Sequence, residues 1–310
     1  MPTDEITAAA AGTWTLGDRT VRRMGFGSMR ITANPDRDRA VALLRRVVEL
    51  GVNHIDTAAF YVSPGGTLRV GTGPARYATE LIRAALAPYP EDLVIATKVG
   101  FGYDPVAGFT EALTPAQLRA QVEENLRRLG RDQLEVVNLR LGRGPGAVPL
   151  VERFGALADL RAAGLIRHLG LSNARPEQVD EVAGIAPVVC VQNNYGVDAY
   201  REQDDFVRVC GERGIAYVPF FALAGTGREA GASAAQGGAV EAVARAHGVT
   251  PHQVRLAWTL HQGPHVLAIP GTGDPEHLAQ NIAAGALRLS PQDLTHLRAR
   301  PCPPTPPLPR

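Results

Sequence analysis

The sequence lacks the marks of a chain built for a special environment. No uncharged, turn-free stretch reaches the length that spans a bilayer, so membrane insertion is disfavoured. The opening MPTDEITAAAAG carries two acids and no basic segment ahead of an apolar one, which reads against a secretory signal and makes the cytoplasm the expected location. Cysteines number three, at Cys190, Cys210 and Cys302, too few and too widely spaced for a disulfide framework or a zinc site. Cys190, inside PVVCVQ, reads as a small buried apolar residue. Charge of one sign is also lacking. Lysine plus arginine (32) nearly equals aspartate plus glutamate (31), and no basic run appears, so a nucleic-acid surface is disfavoured and a small molecule is the expected partner. Nothing in the sequence fixes an oligomeric state.

What is present is an alternation. Apolar, strand-like runs fall at 23–28, 52–56, 93–98, 134–139, 166–171, 188–192, 215–220 and 266–269. Between them lie segments of helical period at 36–50, 75–87, 115–129, 148–163, 176–183, 201–213 and 251–262, with another at 275–284. Thr114-Pro115, Thr250-Pro251, Asp274-Pro275 and Ser290-Pro291 each place a capping side chain before a helix-starting proline. Gly51, Gly130, Gly164 and Gly214 follow helical stretches as left-handed terminators. Eight strand-then-helix units in 310 residues predict an α/β fold of the (β/α)8 TIM-barrel type, one domain over 1–310. A hairpin turning at Gly17-Asp18 is placed to plug the N-terminal end of that barrel, and 1–12 and the proline-rich 301–310 read as flexible tails.

In such a barrel the active site gathers at the C-terminal ends of the strands, so the polar residues there are the candidates. They include Ser28, Asp56 with Tyr61, Lys98, Arg140, Ser172-Asn173, Gln192, Phe220 and Thr272. Asp56 and Lys98 end neighbouring strands. An ammonium beside a phenol favours the phenolate, so Lys98, held by the Asp56 carboxylate, is expected to lower the pKa of Tyr61 and fit it to protonate a developing alkoxide. Each residue taken singly has a plainer reading, as a loop cap, a solvated lysine and a packed ring. His54 in NHID reads as a barrel residue, since no carboxylate–histidine cluster has metal-ligand spacing. GFGSMR is a poor dinucleotide fingerprint, because Arg30 stands where its third glycine belongs.

The motifs GFGSM, GVNHIDTAAFY, IATKVG, LIRHLGLSN, VQNNY, YVPFFALA and IPGT…HLAQN occur in this order over nearly the full length. In them the sequence resembles the aldo-keto reductases, and is most similar to a bacterial branch that includes pyridoxal reductases, whose fourth strand also reads VVNLR. The resemblance implies an NADPH-dependent oxidoreductase that delivers a hydride to an aldehyde or ketone, pyridoxal-like or biosynthetic. It makes Tyr61 the proton donor and Asp56 and Lys98 its tuning partners. Most of the family ends strand four in a histidine. Here LEVVNLR places Arg140 there, a planar, permanently charged group able to polarise a carbonyl but not to shuttle a proton, with Asn138 on the same side of the strand.

For the cofactor, Ser172, Asn173 and Gln192 supply the donors and acceptors that an amide needs, and the resemblance implies that they hold the nicotinamide carboxamide. Phe220 is placed to stack on the nicotinamide ring, and Gly27, Ser28, Met29 and Asp56 are further implied cofactor contacts. The small-residue loop FFALAGTG, through Leu223 and Gly225, is expected to reach the pyrophosphate. Beyond strand eight a helix opening at Asp274-Pro275 favours an anion. The family usually sets a lysine and an arginine hereabouts for the 2′-phosphate; Gly271 and His277 fall on those positions, with Thr272, Gln280 and Asn281 nearby. NADPH is expected over NADH. The substrate pocket is expected from Met29, Phe60, Phe101, Tyr103, Arg143 and Tyr195, under a glycine-bearing, mobile loop over 62–72. The alternative is a protein of the same fold that binds NADPH to regulate or interact, with little turnover.

Overall fold

The computed structural model describes residues 5–66, 68, 71–104, 108–142, 147–198, 201–220, 222–223 and 238–298. A hairpin comes first, β1 (Thr13–Leu16) and β2 (Arg19–Arg22), paired antiparallel across the predicted Gly17-Asp18 turn. The alternation follows as β3 (Phe26–Gly27), α1 (Arg37–Glu49), β4 (His54–Asp56), a short pair β5 (Val62–Ser63) and β6 (Arg76–Tyr77), α2 (Ala78–Leu86) and β7 (Val94–Val99). A second hairpin, β8 (Phe101–Asp104) and β9 (Gly108–Glu111), precedes α3 (Pro115–Leu129), β10 (Leu134–Arg140), α4 (Leu150–Ala162), β11 (Ile166–Ser172), α5 (Pro176–Val182) and β12 (Val188–Gln192). The chain continues through α6 (Asp204–Glu212), β13 (Ala216–Tyr217), α7 (Gly238–His247), α8 (Pro251–Leu260), α9 (Pro275–Ala283) and α10 (Pro291–Arg298).

Seven parallel strands form one curled sheet in the order β13, β12, β11, β10, β7, β4, β3. The expected eighth strand, 266–269, is too briefly paired to be regular, yet it bonds to both free edges. Leu267 donates to Tyr217 O at 2.9 Å on one side, and Ala268 donates to Arg23 O at 2.8 Å on the other. These bonds complete the (β/α)8 barrel. Helix ends follow the sequence signals: Thr114 and Thr250 both form capping boxes, and Gly51 and Gly130 turn the chain at φ of 81° and 64°, a left-handed conformation that strains a residue with a side chain.

Two apolar layers hold the sheet. The larger lies between strands and helices. The smaller fills the barrel interior, with Val94, Val136, Cys190, Ala216, Val218 and Leu267 joined there by Leu16 and Val21 of the hairpin. The hairpin therefore plugs the barrel as the sequence predicts, and a leucine so buried is worth about 1.5–3 kcal/mol. Cys190 is in this interior layer, as its setting implied.

Four expectations are corrected. Residues 5–12 are no loose tail: Ala8 and Ala11 are buried in a 3-10 turn, and Ala8 donates to Leu50 O at 2.8 Å. The segment over 62–72 is pinned at its start by β5–β6 pairing and by buried Arg76, which donates to Thr32 O, Thr72 O and Pro74 O at 2.9–3.1 Å. Helix α7 was hidden by the low-complexity run before it. The two extra hairpins were missed because their strands are short and set among glycines.

At the seam where strand eight closes the ring, Arg23 donates to Ala11 O (3.3 Å), Val266 O (3.2 Å), Gly263 O (2.7 Å) and Leu260 O. A single guanidinium thus satisfies carbonyls from three parts of the chain. Arg23→Lys leaves several of them unpaired and is expected to lower unfolding free energy by about 2–3 kcal/mol in urea titration. His54 supplies a second test. Burial pushes its imidazole down to about 4 from an ordinary 6.5, so the unfolded chain takes up a proton that the folded one refuses. Stability is then full above pH 6.5 and falls by roughly 3 kcal/mol toward pH 4. His54→Gln should flatten that slope in denaturation curves collected across this range.

Candidate active site

Parallel pairing sets Asp56 at the end of β4 beside Ala96 of β7, two residues before Lys98. The lysine's ammonium therefore reaches across one strand spacing: Nζ lies 2.7 Å from both Asp56 carboxylate oxygens and 3.0 Å from Thr57 O. Both side chains are buried, at 2% and 6% exposure. The Tyr61 ring sits over this pair, its centroid 4.8 Å from Nζ. Its backbone is fixed by a turn bond from Tyr61 N to Ala58 O and by Ala78 at the start of α2, which donates to Tyr61 O. Phe60 meets the Tyr61 ring edge-on at 5.2 Å.

The electrostatics differ from expectation in direction. Burial pushes the Tyr61 phenol above its ordinary value; Lys98 pulls against that rise, Asp56 adds to it, and Arg140 opposes it more weakly. Burial also presses the Lys98 ammonium toward neutrality, but Asp56 and Tyr61 outweigh it and hold the lysine above its ordinary value. Tyr61 therefore rests as a neutral phenol with a fixed cation beside it. That is the resting form a proton donor needs, and the cation is in place for the charge that appears when the proton leaves.

Arg140 ends β10 opposite Ser172 of β11, and its Nη1 donates to Ser172 Oγ at 3.2 Å. The guanidinium lies 5.3 Å from the Phe220 ring centroid and 5.8 Å from that of Phe101. Ser28 is buried, its backbone N–H donating to Asp56 O at 2.9 Å, and its Oγ has no hydrogen-bond partner among the described residues. Such an orphaned polar atom suits a ligand that offers an amide. Of the residues expected to line the substrate pocket, Phe60 touches the Tyr61 ring and Phe101 the Arg140 guanidinium, while Met29 and Tyr103 are half-buried. Among the described residues no cluster of His, Cys, Asp or Glu could hold a metal, and no helix is long and apolar enough to cross a membrane.

Several expected contacts are engaged otherwise. Gln192 Nε2 donates to Asp56 Oδ1 at 2.8 Å, which ties this amide to the ion pair. Asn173, at a left-handed φ of 61°, donates its side-chain amide to Leu141 O at 3.0 Å. Thr272 Oγ1 accepts from Asp274 N, and the Asp274 carboxylate caps α9 by accepting from Glu276 N and His277 N. The expected capping carboxylate thus stands at that helix end, where a bound anion would meet its negative charge as well as the helix dipole. His277 is exposed, Gln280 reaches Glu276 Oε1 at 3.4 Å, and Asn281 is buried. Gly271 has a packing reason, since a Cβ there would come within 2.3 Å of Gly27 O.

Tyr195 is also corrected. Three residues after the inward Gln192, strand alternation turns it to the outer face, where it is fully buried against Tyr217 and Trp258 and donates to Asp204 Oδ1 at 2.7 Å. Leu223 is half-buried against the core. Gly225 and Arg143 lie outside the described residues. Sequence reasoning missed the Thr57 carbonyl, which the lysine uses; its place directly after Asp56 was the available signal.

The aldo/keto reductase family model matches residues 23–300. Pyridoxine 4-dehydrogenase of Escherichia coli is 42% identical over 298 residues, covering 93% of this chain and 98% of that protein. An uncharacterized oxidoreductase of Schizosaccharomyces pombe is 35% identical over 291 residues, covering 92% and 88%. The crystal structure of an aldo/keto reductase from Klebsiella pneumoniae in complex with NADP and acetate superposes with a TM-score of 0.74 at 28% identity, covering 92% of this chain and 93% of that one. The barrel, the buried Asp56–Lys98 pair beneath Tyr61 and these likenesses together place the chain in the aldo/keto reductase family, as an oxidoreductase acting on carbonyl groups.

Proposed function

We propose that this protein is an NADPH-dependent reductase that interconverts an aldehyde or ketone and its alcohol, with the pyridoxal–pyridoxine couple as the first substrate class. The observation that carries the reading is Tyr61 standing over the doubly hydrogen-bonded Asp56–Lys98 pair. The substrate class rests on the 42% identity with the E. coli pyridoxine 4-dehydrogenase, and the cofactor on the Klebsiella neighbour's NADP.

When bound, NADPH supplies the hydride that attacks the carbonyl carbon. The protein's own residues do the rest. Ser28 and Ser172 offer hydroxyls, and Phe220 a flat apolar face, on the side where the nicotinamide would lie. Arg140 presents a guanidinium to the substrate oxygen and polarises the carbonyl. As electrons move onto that oxygen, the Tyr61 hydroxyl gives it a proton, and the phenolate left behind is stabilised by Lys98. Asp56 keeps the lysine charged and fixed throughout. Hydride and proton together convert the carbonyl to an alcohol.

Two outcomes test this. Tyr61→Phe should lower kcat for pyridoxal reduction, followed as NADPH absorbance loss, by about 10²–10⁴-fold, while NADPH binding by fluorescence stays near wild type. Unchanged turnover would refute the assignment, and NADPH binding with no oxidation across a carbonyl panel would favour a nucleotide-binding regulatory role instead. The second outcome concerns pH. Because the Tyr61 phenol titrates above its ordinary value of 10.0, reduction should stay flat from pH 6 to about 9 and fall only beyond that. Alcohol oxidation, which needs the phenolate, should climb over the same alkaline range. A reductive limb that falls near pH 7 would rule out a raised phenol.

A further inference from the structure

Behind the ion pair, a line of buried side chains runs across the barrel interior. Cys190 Sγ of β12 lies 3.1 Å from Asn138 Oδ1 of β10, and Asn138 Nδ2 lies 3.5 Å from Gln192 Oε1. Gln192 Nε2 in turn donates to Asp56 Oδ1 at 2.8 Å. All four residues are buried, with whole-residue exposures of 1% for Cys190, Asn138 and Gln192 and 4% for Asp56. The line has one direction. A thiol hydrogen donated to Asn138 Oδ1 turns the Asn138 amide nitrogen toward Gln192, whose own nitrogen is then turned to the carboxylate. The fold reserves room for it. A Cβ on Gly170 of β11 would come within 2.1 Å of Asn138 Oδ1 and 2.7 Å of Cys190 Sγ, at a residue whose φ requires no glycine.

We propose that Asn138 is a positioning residue for the Tyr61 acid: held by Cys190, it fixes the Gln192 amide so that its N–H, not its oxygen, faces Asp56. This inference rests on the reading of Tyr61 as the proton donor. A donor on Asp56 Oδ1 shares the negative charge that would otherwise pair wholly with Lys98, and so leaves more of the ammonium's field for the phenolate. With the Gln192 amide reversed, two acceptors would face each other and the carboxylate would lean more heavily on the lysine. The charged groups that act on Tyr61 are Lys98, Asp56 and Arg140, and those that act on Cys190 are Asp56 and Lys98. Burial, with Asp56 nearby, pushes the Cys190 thiol up to about 12, so it remains an S–H donor across the working pH range.

The test is a set of pH–rate profiles for pyridoxal reduction and pyridoxine oxidation, with thermal midpoints measured alongside. Asn138→Leu should lower kcat about tenfold, the worth of one hydrogen bond to a charged group, and move the alkaline limb upward by roughly half a unit to one unit. KM for the carbonyl should change much less than kcat. Cys190→Ala should reproduce the shift in smaller measure, whereas Cys190→Ser, which keeps a donor in place, should hold the limb near wild type. That pair decides the matter even if Asn138→Leu fails to fold. Wild-type profiles in both Asn138→Leu and Cys190→Ala, or an equal shift in Cys190→Ser and Cys190→Ala, would overturn the proposal. Tyr61→Phe run in parallel separates the two levels: an active Tyr61→Phe sinks the acid assignment itself, whereas an inactive Tyr61→Phe beside an unshifted Asn138→Leu sinks the positioning role alone.

Discussion

The structure depends on one buried ion pair. Taking a carboxylate and an ammonium out of water costs several kcal/mol per ion, and the attraction between them repays this only with close geometry and every remaining lone pair and proton satisfied. Asp56 and Lys98 meet that condition through paired 2.7 Å contacts, the Thr57 carbonyl and the Gln192 amide. Much of the surrounding architecture serves it. The β4–β7 register brings the two residues together, the interior apolar layer excludes water from below, and Phe60 and α2 hold the phenol above. An apolar pair of the same volume would pack at less cost. A standing cation under a neutral phenol is what such a pair could not supply.

The sequence made the framework legible because barrel strands and amphipathic helices announce themselves by period and by their capping residues. Pattern and structure agree to the residue over 115–129 and 188–192. Asp56, Tyr61 and Lys98 were legible for a related reason: polar residues at the ends of apolar strands stand out, and the TIM-barrel rule says where those ends meet. Strand eight was found but its regularity overstated, since two edges compete for one short segment and each wins only a few bonds.

What escaped the sequence was pairing among polar groups. The sequence presents Gln192 and Asn173 as ligand-facing amides, yet each has a partner within the protein, and nothing in VQNNY or LGLSN states which carbonyl or carboxylate will come within 3 Å. The capping side chain expected at Asp274 is the carboxylate found there, accepting from Glu276 N and His277 N. The phenol's shift was misjudged in sign because the lysine is visible in the sequence and the depth of burial is not. Tyr195 failed on parity, a single step in strand alternation that decides between cavity and outer layer.

The members of the polar line are remote in sequence: 42 residues separate Lys98 from Asp56, 136 separate Gln192 from Asp56, and 52 separate Cys190 from Asn138. They become neighbours only once consecutive strands have docked. In a nascent, clipped or half-assembled chain residue 61 is therefore an ordinary tyrosine with no cation beneath it. On the proposed role of Tyr61, catalytic competence is a late, collective property, and the recovery of enzyme activity during refolding would report assembly of the sheet rather than the appearance of helices.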